Sequence, residues 1–223
     1  MKGASLLELG RRPYREVLAL QREIHAAVAA GERDDTWIVV EHDPVVTLGR
    51  NAKHVNLLAS ADALAARGID VVEIERGGDA TYHGPGQLVV YPILRLARFR
   101  EVVPLVSALE RAVISALASF GIAAAARPEH RGVYVGDAAI CAIGLAVKRM
   151  TSLHGFALNV STELDYDRII VPCGTPQFGI TSLERELRRA VSMDDARTAL
   201  RGAIEREFGL QFERRETAAA KRA

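Results

Sequence analysis

The sequence predicts an α+β fold, a mixed and largely antiparallel sheet packed with helices, and three observations carry that expectation. Two long segments, 13–31 and 102–121, repeat apolar residues at helical spacing. Short apolar runs of strand length, bounded by Gly, Pro and Asp, lie between them. Residues 132–160 then read as three strands separated by tight polar turns, which is the pattern of an antiparallel meander.

The first helix opens at Pro13, whose fixed φ suits a first turn. Tyr14, Val17, Leu18, Gln21, Ile24 and Val28 share one face, and Gly31 stops it. Runs 37–40 and 45–48 are short strands joined by an Asp43-Pro44 turn. Ser60 caps a short helix over 61–67 that Gly68 ends, and 69–74 returns as a strand leading into a glycine-rich loop. Run 88–94 is another strand, and Pro92 within it predicts an edge or bulge position. The second long helix carries Leu105, Leu109, Val113, Ala116, Leu117 and Phe120 on one face up to Gly121. The meander follows over 132–135, 140–147 and 152–160. Ser192 and Asp195 resemble a capping box opening a helix through Phe208, and 210–212 adds a terminal strand. Residues 213–223 have no long apolar face and are expected to fray. That leaves 1–212 as one catalytic-size domain, with a small C-terminal lobe after 180 as a variant of the same reading.

Composition excludes several function classes. With 29 Lys and Arg against 28 Asp and Glu, the net charge is +1, so no global field draws nucleic acid or an anionic membrane, and neither is expected as a partner. The hydrophobic share of 49% supplies a core. No uncharged stretch exceeds 15 residues, short of the roughly 20 that cross a bilayer, and 112–126, one stretch of that length, is read as a core helix. The N-terminus lacks a signal-peptide pattern, so a cytoplasmic protein is expected. Two cysteines, Cys141 and Cys173, are too few for a disulfide framework. The six histidines show no ligand spacing with Cys or carboxylates, so no metal is expected.

Three segments can carry chemistry. Arg76, Gly77, Gly78, Asp79, Ala80, Thr81, Tyr82 and His83 lead into Gly84-Pro85-Gly86-Gln87, a density of glycine and polar groups that lets backbone N–H groups face a ligand oxygen. Arg76 offers a planar fork suited to phosphate, and His83 an acid, base or orienting donor. The pattern is neither the dinucleotide nor the P-loop motif. In 152–160, alternation sends His154, Phe156 and Leu158 to one face and Leu153, Gly155, Ala157 and Asn159 to the other. The small face leaves room for a ligand chain, or merely for a helix packed close by, with His154 a hydrogen-bonded core residue. In 169–174, a thiol at Cys173 ends an apolar strand between Pro172 and Gly174. A nucleophilic role there requires a nearby cation, histidine or helix N-terminus. Cys141, inside an apolar strand, is assigned to packing.

Taken as a set, RGGDATYHGPGQLVVYP at 76–92, AIG at 142–144, HGFALNV at 154–160 and VPCG at 171–174 resemble the bacterial octanoyltransferases of lipoate biosynthesis. TSLE at 181–184 is a further match, and the likeness runs from about residue 5 to residue 188. The resemblance implies the fold of the lipoate and biotin protein ligases and a two-step acyl transfer. Cys173 would attack an octanoyl thioester on acyl carrier protein. The acyl-enzyme would then pass its acyl group to a lysine of a lipoyl domain, of a 2-oxoacid dehydrogenase or of the glycine-cleavage H protein. No cofactor is implied, since thioester exchange costs little and aminolysis runs downhill. By the same resemblance Arg76 to His83, Ala142, Ile143, Gly144, Gly155, Phe156 and Ala157 line the acyl and carbonyl site. A C8 chain gains about 0.8 kcal/mol per buried CH₂ there only if bulky side chains stay away. A monomer is expected.

One position departs from the family. The lysine that pairs with the cysteine falls five residues before the Gly of AIG, at Ala139, and alanine can neither lower a thiol pKa nor move a proton. The chain is then an engineered variant, a natural member with a substitute group, or an enzyme that has lost activity. Lys148 lies nine residues along the same strand, about 30 Å away at ~3.3 Å per residue, and reads as a solvated turn residue. His83 and His154 are the better-placed auxiliaries. The expectation is an octanoyltransferase architecture with an impaired rate. Its rivals are a silent acyl- or carrier-binding module and an ATP-dependent lipoate ligase. Arg11, Arg12 and Arg15, or Arg95, Arg98 and Arg100, are candidate docking clusters for an acidic carrier.

Overall fold

The structure, a computed structural model, describes residues 2–127, 129–171 and 178–214. Its frame is a mixed sheet built on non-local pairings. Strand β1 (Lys2–Arg12) pairs in parallel with β2 (Thr36–His42) on one side, and on the other with a strand from the far end of the chain, Leu210–Arg214. Between β1 and β2 runs helix α1 (Tyr14–Ala30). Its buried residues are the six expected from the period plus His25, and Gly31 closes it at φ 78°, donating to the carbonyls of Ala27 and Val28. The Asp43-Pro44 turn does not make a hairpin; it carries the chain into a second sheet of three strands. There β3 (Val45–Leu48) pairs in parallel with β4 (Asp70–Glu73) and antiparallel with β5 (Ala80–His83). Helix α2 (Ala61–Ala66) lies between β3 and β4, with Ser60 Oγ accepting from the Ala63 N–H.

The chain re-enters the large sheet as β6 (Gln87–Ile93), which sits between β2 and β10 (Thr151–Asn159). This overturns the edge expectation for Pro92. The strand is interior, and proline is tolerated because the ladder to β10 opens there: pairing runs from Gln87↔Asn159 to Val90↔Phe156 and resumes in the same register at Arg95↔Thr151. In the gap Ser152 Oγ donates to the Pro92 carbonyl at 2.6 Å and accepts from the Leu94 N–H at 2.9 Å, so these two backbone groups stay paired where the ladder opens.

Helix α3 (Val102–Ser119) packs one face of the large sheet with α5 (Met193–Phe208). It is long and apolar enough by composition to cross a membrane, yet its Leu105, Leu109, Val113 and Leu117 face is buried in the core. A short β7 (Ala125–Ala126) leads into the meander β8 (Gly132–Val135), β9 (Ala138–Lys148) and β10, as the turn signals predicted. Then come β11 (Gly179–Ile180), parallel to β9, the short helix α4 (Leu183–Leu187) and, after α5, the terminal strand β12 (Leu210–Arg214). Glu213 and Arg214, expected to fray, instead pair with Ser5 and Leu6 of β1; residues 215–223 lie outside the described residues. Strands β1, β5, β7 and β11 and helix α4 were not foreseen. The two faces of the sheet bury separate clusters, one under α3 and α5 around Trp37, the other under α1 around Ile38, and a third cluster fills the small sheet with α2.

Candidate active site

The site forms where the large sheet is incomplete. Strand β8 pairs with β9 only as far as Ala142, leaving the outer edge of 143–148 open. The glycine-rich loop docks there, with the Gly77 N–H donating to the Leu145 carbonyl at 2.9 Å. Glycine matters on the β9 side of the contact: a Cβ on Gly144 would stand 3.0 Å from the Gly77 carbonyl and 3.1 Å from Arg76 Cδ, whereas one on Gly77 would meet only the Leu145 carbonyl at 3.4 Å, an ordinary contact. Between loop, β9, β10, the start of α3 and the 129–131 segment lies a cavity of about 450 Å³, within the range of small-ligand sites. Arg76, Gly77, Gly78, Asp79, Thr81, His83, Ala142, Ile143, Gly144, His154, Gly155, Phe156 and Ala157 all line it. Ala80 and Tyr82 do not. They border an adjoining void of about 30 Å³ with Ala139, Cys141 and Ala142.

The loop's two charged residues make hydrogen bonds within the protein. Arg76 is buried, and its Nη2 donates to the Thr47 carbonyl at 2.6 Å and Thr47 Oγ1 at 2.9 Å while Nη1 donates to the Gly77 carbonyl at 3.0 Å. The phosphate fork expected of it is thus turned onto β3 and its own loop. Asp79 accepts from the Ala80 N–H at 2.7 Å, the Lys53 N–H at 3.3 Å and Asn56 Nδ2 at 2.6 Å. It ties the glycine loop to segment 53–56, whose Asn56 carbonyl in turn accepts from the Val171 N–H at 2.8 Å.

His83 is held in one tautomer. Gln87 Nε2 donates to the Tyr82 carbonyl at 3.3 Å and to Asn159 Oδ1 at 2.9 Å, and Asn159 Nδ2 donates to the Thr181 carbonyl at 3.0 Å. These carbonyls fix both amides, so Gln87 Oε1 is the acceptor 2.7 Å from His83 Nδ1. The proton therefore sits on Nδ1, and Nε2 is the ring's acceptor on the cavity side. Burial, with the neighbouring His42 and Arg76, pushes its pKa down to about 3. Sequence reasoning missed the companions. His42 donates from Nδ1 to the Arg12 carbonyl at 3.0 Å and accepts at Nε2 from the Tyr91 hydroxyl at 2.8 Å, and burial lowers it to about 4. Tyr14 stacks on His83 with ring centroids 6.0 Å apart. Tyr14 and Tyr91 look like core aromatics by periodicity, and only their polar tips hinted otherwise.

His154 departs from strand alternation. At φ 62° it lies in the left-handed region, a costly conformation for a non-glycine residue. Its ring leaves the Phe156 and Leu158 face and approaches Glu75, Nε2 to Oε2 3.6 Å, with no hydrogen bond to either ring nitrogen. Burial, partly opposed by Glu75, lowers it to about 4. The hydrogen-bonded core histidine expected there is therefore not what the structure holds. Gly155 is small for a third reason beyond the two expected: a Cβ would collide with the Val90 carbonyl oxygen and stand 2.8 Å from Pro92 Cδ, so it serves close strand approach.

Ala139 sits on β9 between Tyr134 of β8 and Ile180 of β11. Cys141 is buried in the core, as assigned. Lys148 is exposed and 3.2 Å from Glu75. Cys173 lies outside the described residues. Its described flanks are both held: Val171 by Asn56, and Gly179 by the Asp137 carbonyl at 3.1 Å. Among the described residues no cluster of His, Cys, Asp and Glu could hold a metal ion.

Comparison with known proteins gives three findings. A family model described as the lipoyl protein ligase A/B catalytic domain matches residues 13–205. An octanoyltransferase of Myxococcus xanthus is 44% identical over 207 residues, 90% of this chain but 58% of that protein's length. One of Syntrophobacter fumaroxidans is 41% identical over 216 residues, 96% of this chain and 95% of that protein. A solved structure of lipoate-protein ligase A bound with ATP superposes at TM-score 0.83 with 20% identity, covering 98% of this chain and 90% of that one; at that identity the likeness concerns the fold.

Proposed function

We propose that this chain, which belongs to the octanoyltransferases of the lipoyl protein ligase A/B catalytic-domain family, moves an octanoyl group from the thioester of acyl carrier protein to a lysine of a lipoyl domain through Cys173. The observation that supports this best is the docking of the glycine loop on the open edge of β9, which gathers three of the family-like segments around one cavity. In the first step the Cys173 thiolate adds to the thioester carbonyl and the carrier's thiolate leaves. In the second, the acceptor amine adds to the acyl-enzyme, the Cys173 thiolate leaves, and the proton released by nitrogen returns to the sulfur. Neither step draws on ATP. Covalent catalysis splits the meeting of two carriers into two visits.

His83 lines the cavity and offers a neutral Nε2 acceptor, whereas His154 is turned toward Glu75. We therefore favour His83 as the auxiliary group. Alanine at 139 brings no proton carrier to β9, so thiol activation is weak and the transferase slow.

The test is intact mass after incubation with octanoyl-acyl carrier protein. The parent protein should gain a hydroxylamine-sensitive octanoyl adduct slowly, Ala139→Lys about 100-fold faster, and Cys173→Ser not at all. An adduct that survives Cys173→Ser, or none with either of the first two proteins, overturns the reading.

A further inference from the structure

An exposed apolar pair stands at the start of α3. Phe99 is 71% and Val103 59% exposed, while Val102 and Val106 of the same turns line the cavity wall. Arginines adjoin the pair in sequence and at a neighbouring turn. Arg98 and Arg100 flank Phe99, and Arg149 is presented by the β9–β10 turn, which the Leu96 N–H joins through the Met150 carbonyl at 2.8 Å. All three are exposed and form no ion pair among the described residues. The nearest acid in sequence, Glu101, is bonded to the Ala97 N–H at 2.9 Å. Arg95, by contrast, is spent on the Ala29 carbonyl at the end of α1.

The rival cluster is neutralised. Arg11 is 2.8 Å from Asp43 and Arg15 is 2.7 Å from Asp70, with Glu16 beside Arg12 at 4.0 Å. Unpaired arginines around exposed aromatic and aliphatic side chains are the composition of a protein-binding patch for an acidic partner.

We propose that Arg98, Phe99, Arg100, Val103 and Arg149 form the docking face for an acidic carrier protein that delivers the acyl thioester. The proposal rests on the transfer reading above. Of the two carriers in that reading, this face fits the donor. The donor must pass a hydrocarbon chain into the cavity, and Val102 and Val106 give an apolar wall next to the patch; the acceptor brings only an amine.

The experiment measures binding of octanoyl-acyl carrier protein by fluorescence anisotropy at low and moderate salt. Loading of Cys173 by S-octanoyl-N-acetylcysteamine, a thioester with no carrier, is followed in parallel by intact mass. Arg98→Glu/Arg100→Glu should weaken carrier binding about tenfold or more and flatten its salt dependence. Phe99→Ser/Val103→Ser should weaken it at both salts. Arg11→Gln/Arg15→Gln should bind as the parent does, and loading by the small thioester should be unchanged in all. Carrier binding that survives the Arg98/Arg100 reversal overturns the proposal and leaves the transfer reading standing. A parent protein that takes octanoyl from neither thioester overturns the transfer reading itself.

Discussion

Gly155 and Gln87 are residues whose neighbours dictate what a substitution does. A Cβ at 155 meets backbone on β6 that cannot turn aside. Gly155→Ala is therefore expected to cost about 3 kcal/mol in urea unfolding, the upper end of overpacking; a loss under about 1 kcal/mol would show that β6 yields. Gln87 acts on His83 by accepting a hydrogen bond from its Nδ1–H. Gln87→Glu places a carboxylate there, favours the imidazolium, and should raise the His83 pKa from about 3 by at least about one unit, read from ring-proton shifts in an NMR titration. An unmoved titration would mean that the amide is not the partner. The TYHGPGQ run shows both residues in the sequence, but nothing in it reveals that Asn159 and the Thr181 carbonyl, far along the chain, set the amide's direction.

At the scale of elements, caps and periods carried across from sequence to structure. Ser192 Oγ accepts from the Asp195 N–H at 3.0 Å at the head of α5, and Ser192→Ala is expected to cost about 1 kcal/mol, with a shift in urea midpoint and no change in slope. A neutral substitution would mean that water replaces the cap in full. Helix α1 was legible because its apolar period and its Gly31 stop are local. Strand β1 was not, because LLEL among charged and small residues gives a weak pattern and both partners of the strand are distant in sequence. Pro92 misled for a related reason. Its exclusion from strand interiors assumes an unbroken ladder, and the break opposite 152–155 is a property of two strands together.

For the whole molecule, three buried neutral histidines govern stability against pH. His42, His83 and His154 titrate at about 4, 3 and 4 in the folded protein against an ordinary 6.5. The unfolded chain takes up these protons as pH falls through about 6.5 while the native state does not. Stability is therefore full above that value and is lost on acidification down to the folded values, by up to about 1.4 kcal/mol per pH unit for each histidine. Glu75, whose carboxylate is drawn down to about 2 by a backbone N–H, Lys148, His154 and Arg22 against the effect of its burial, adds to the loss only below about 4.5. Melting followed by circular dichroism should show a clear fall in Tm between pH 7 and pH 5. A flat Tm over that range would mean that the rings are solvated.

The sequence by itself determined helices α1, α2, α3 and α5, the meander, the glycine-rich loop, and alanine where the family pattern has lysine. Each of these depends on neighbours within a few residues or on the identity of one side chain. Only the tertiary structure decided that Arg76 donates to the Thr47 carbonyl and hydroxyl of β3, that His154 approaches Glu75, and that Arg98 and Arg100 form no ion pair among the described residues while Arg11 and Arg15 are paired. Those outcomes hang on which distant groups come within hydrogen-bond reach, and a charge or a ring takes its role from that partner, which is set by the sheet order and not by the residue's own place in the chain.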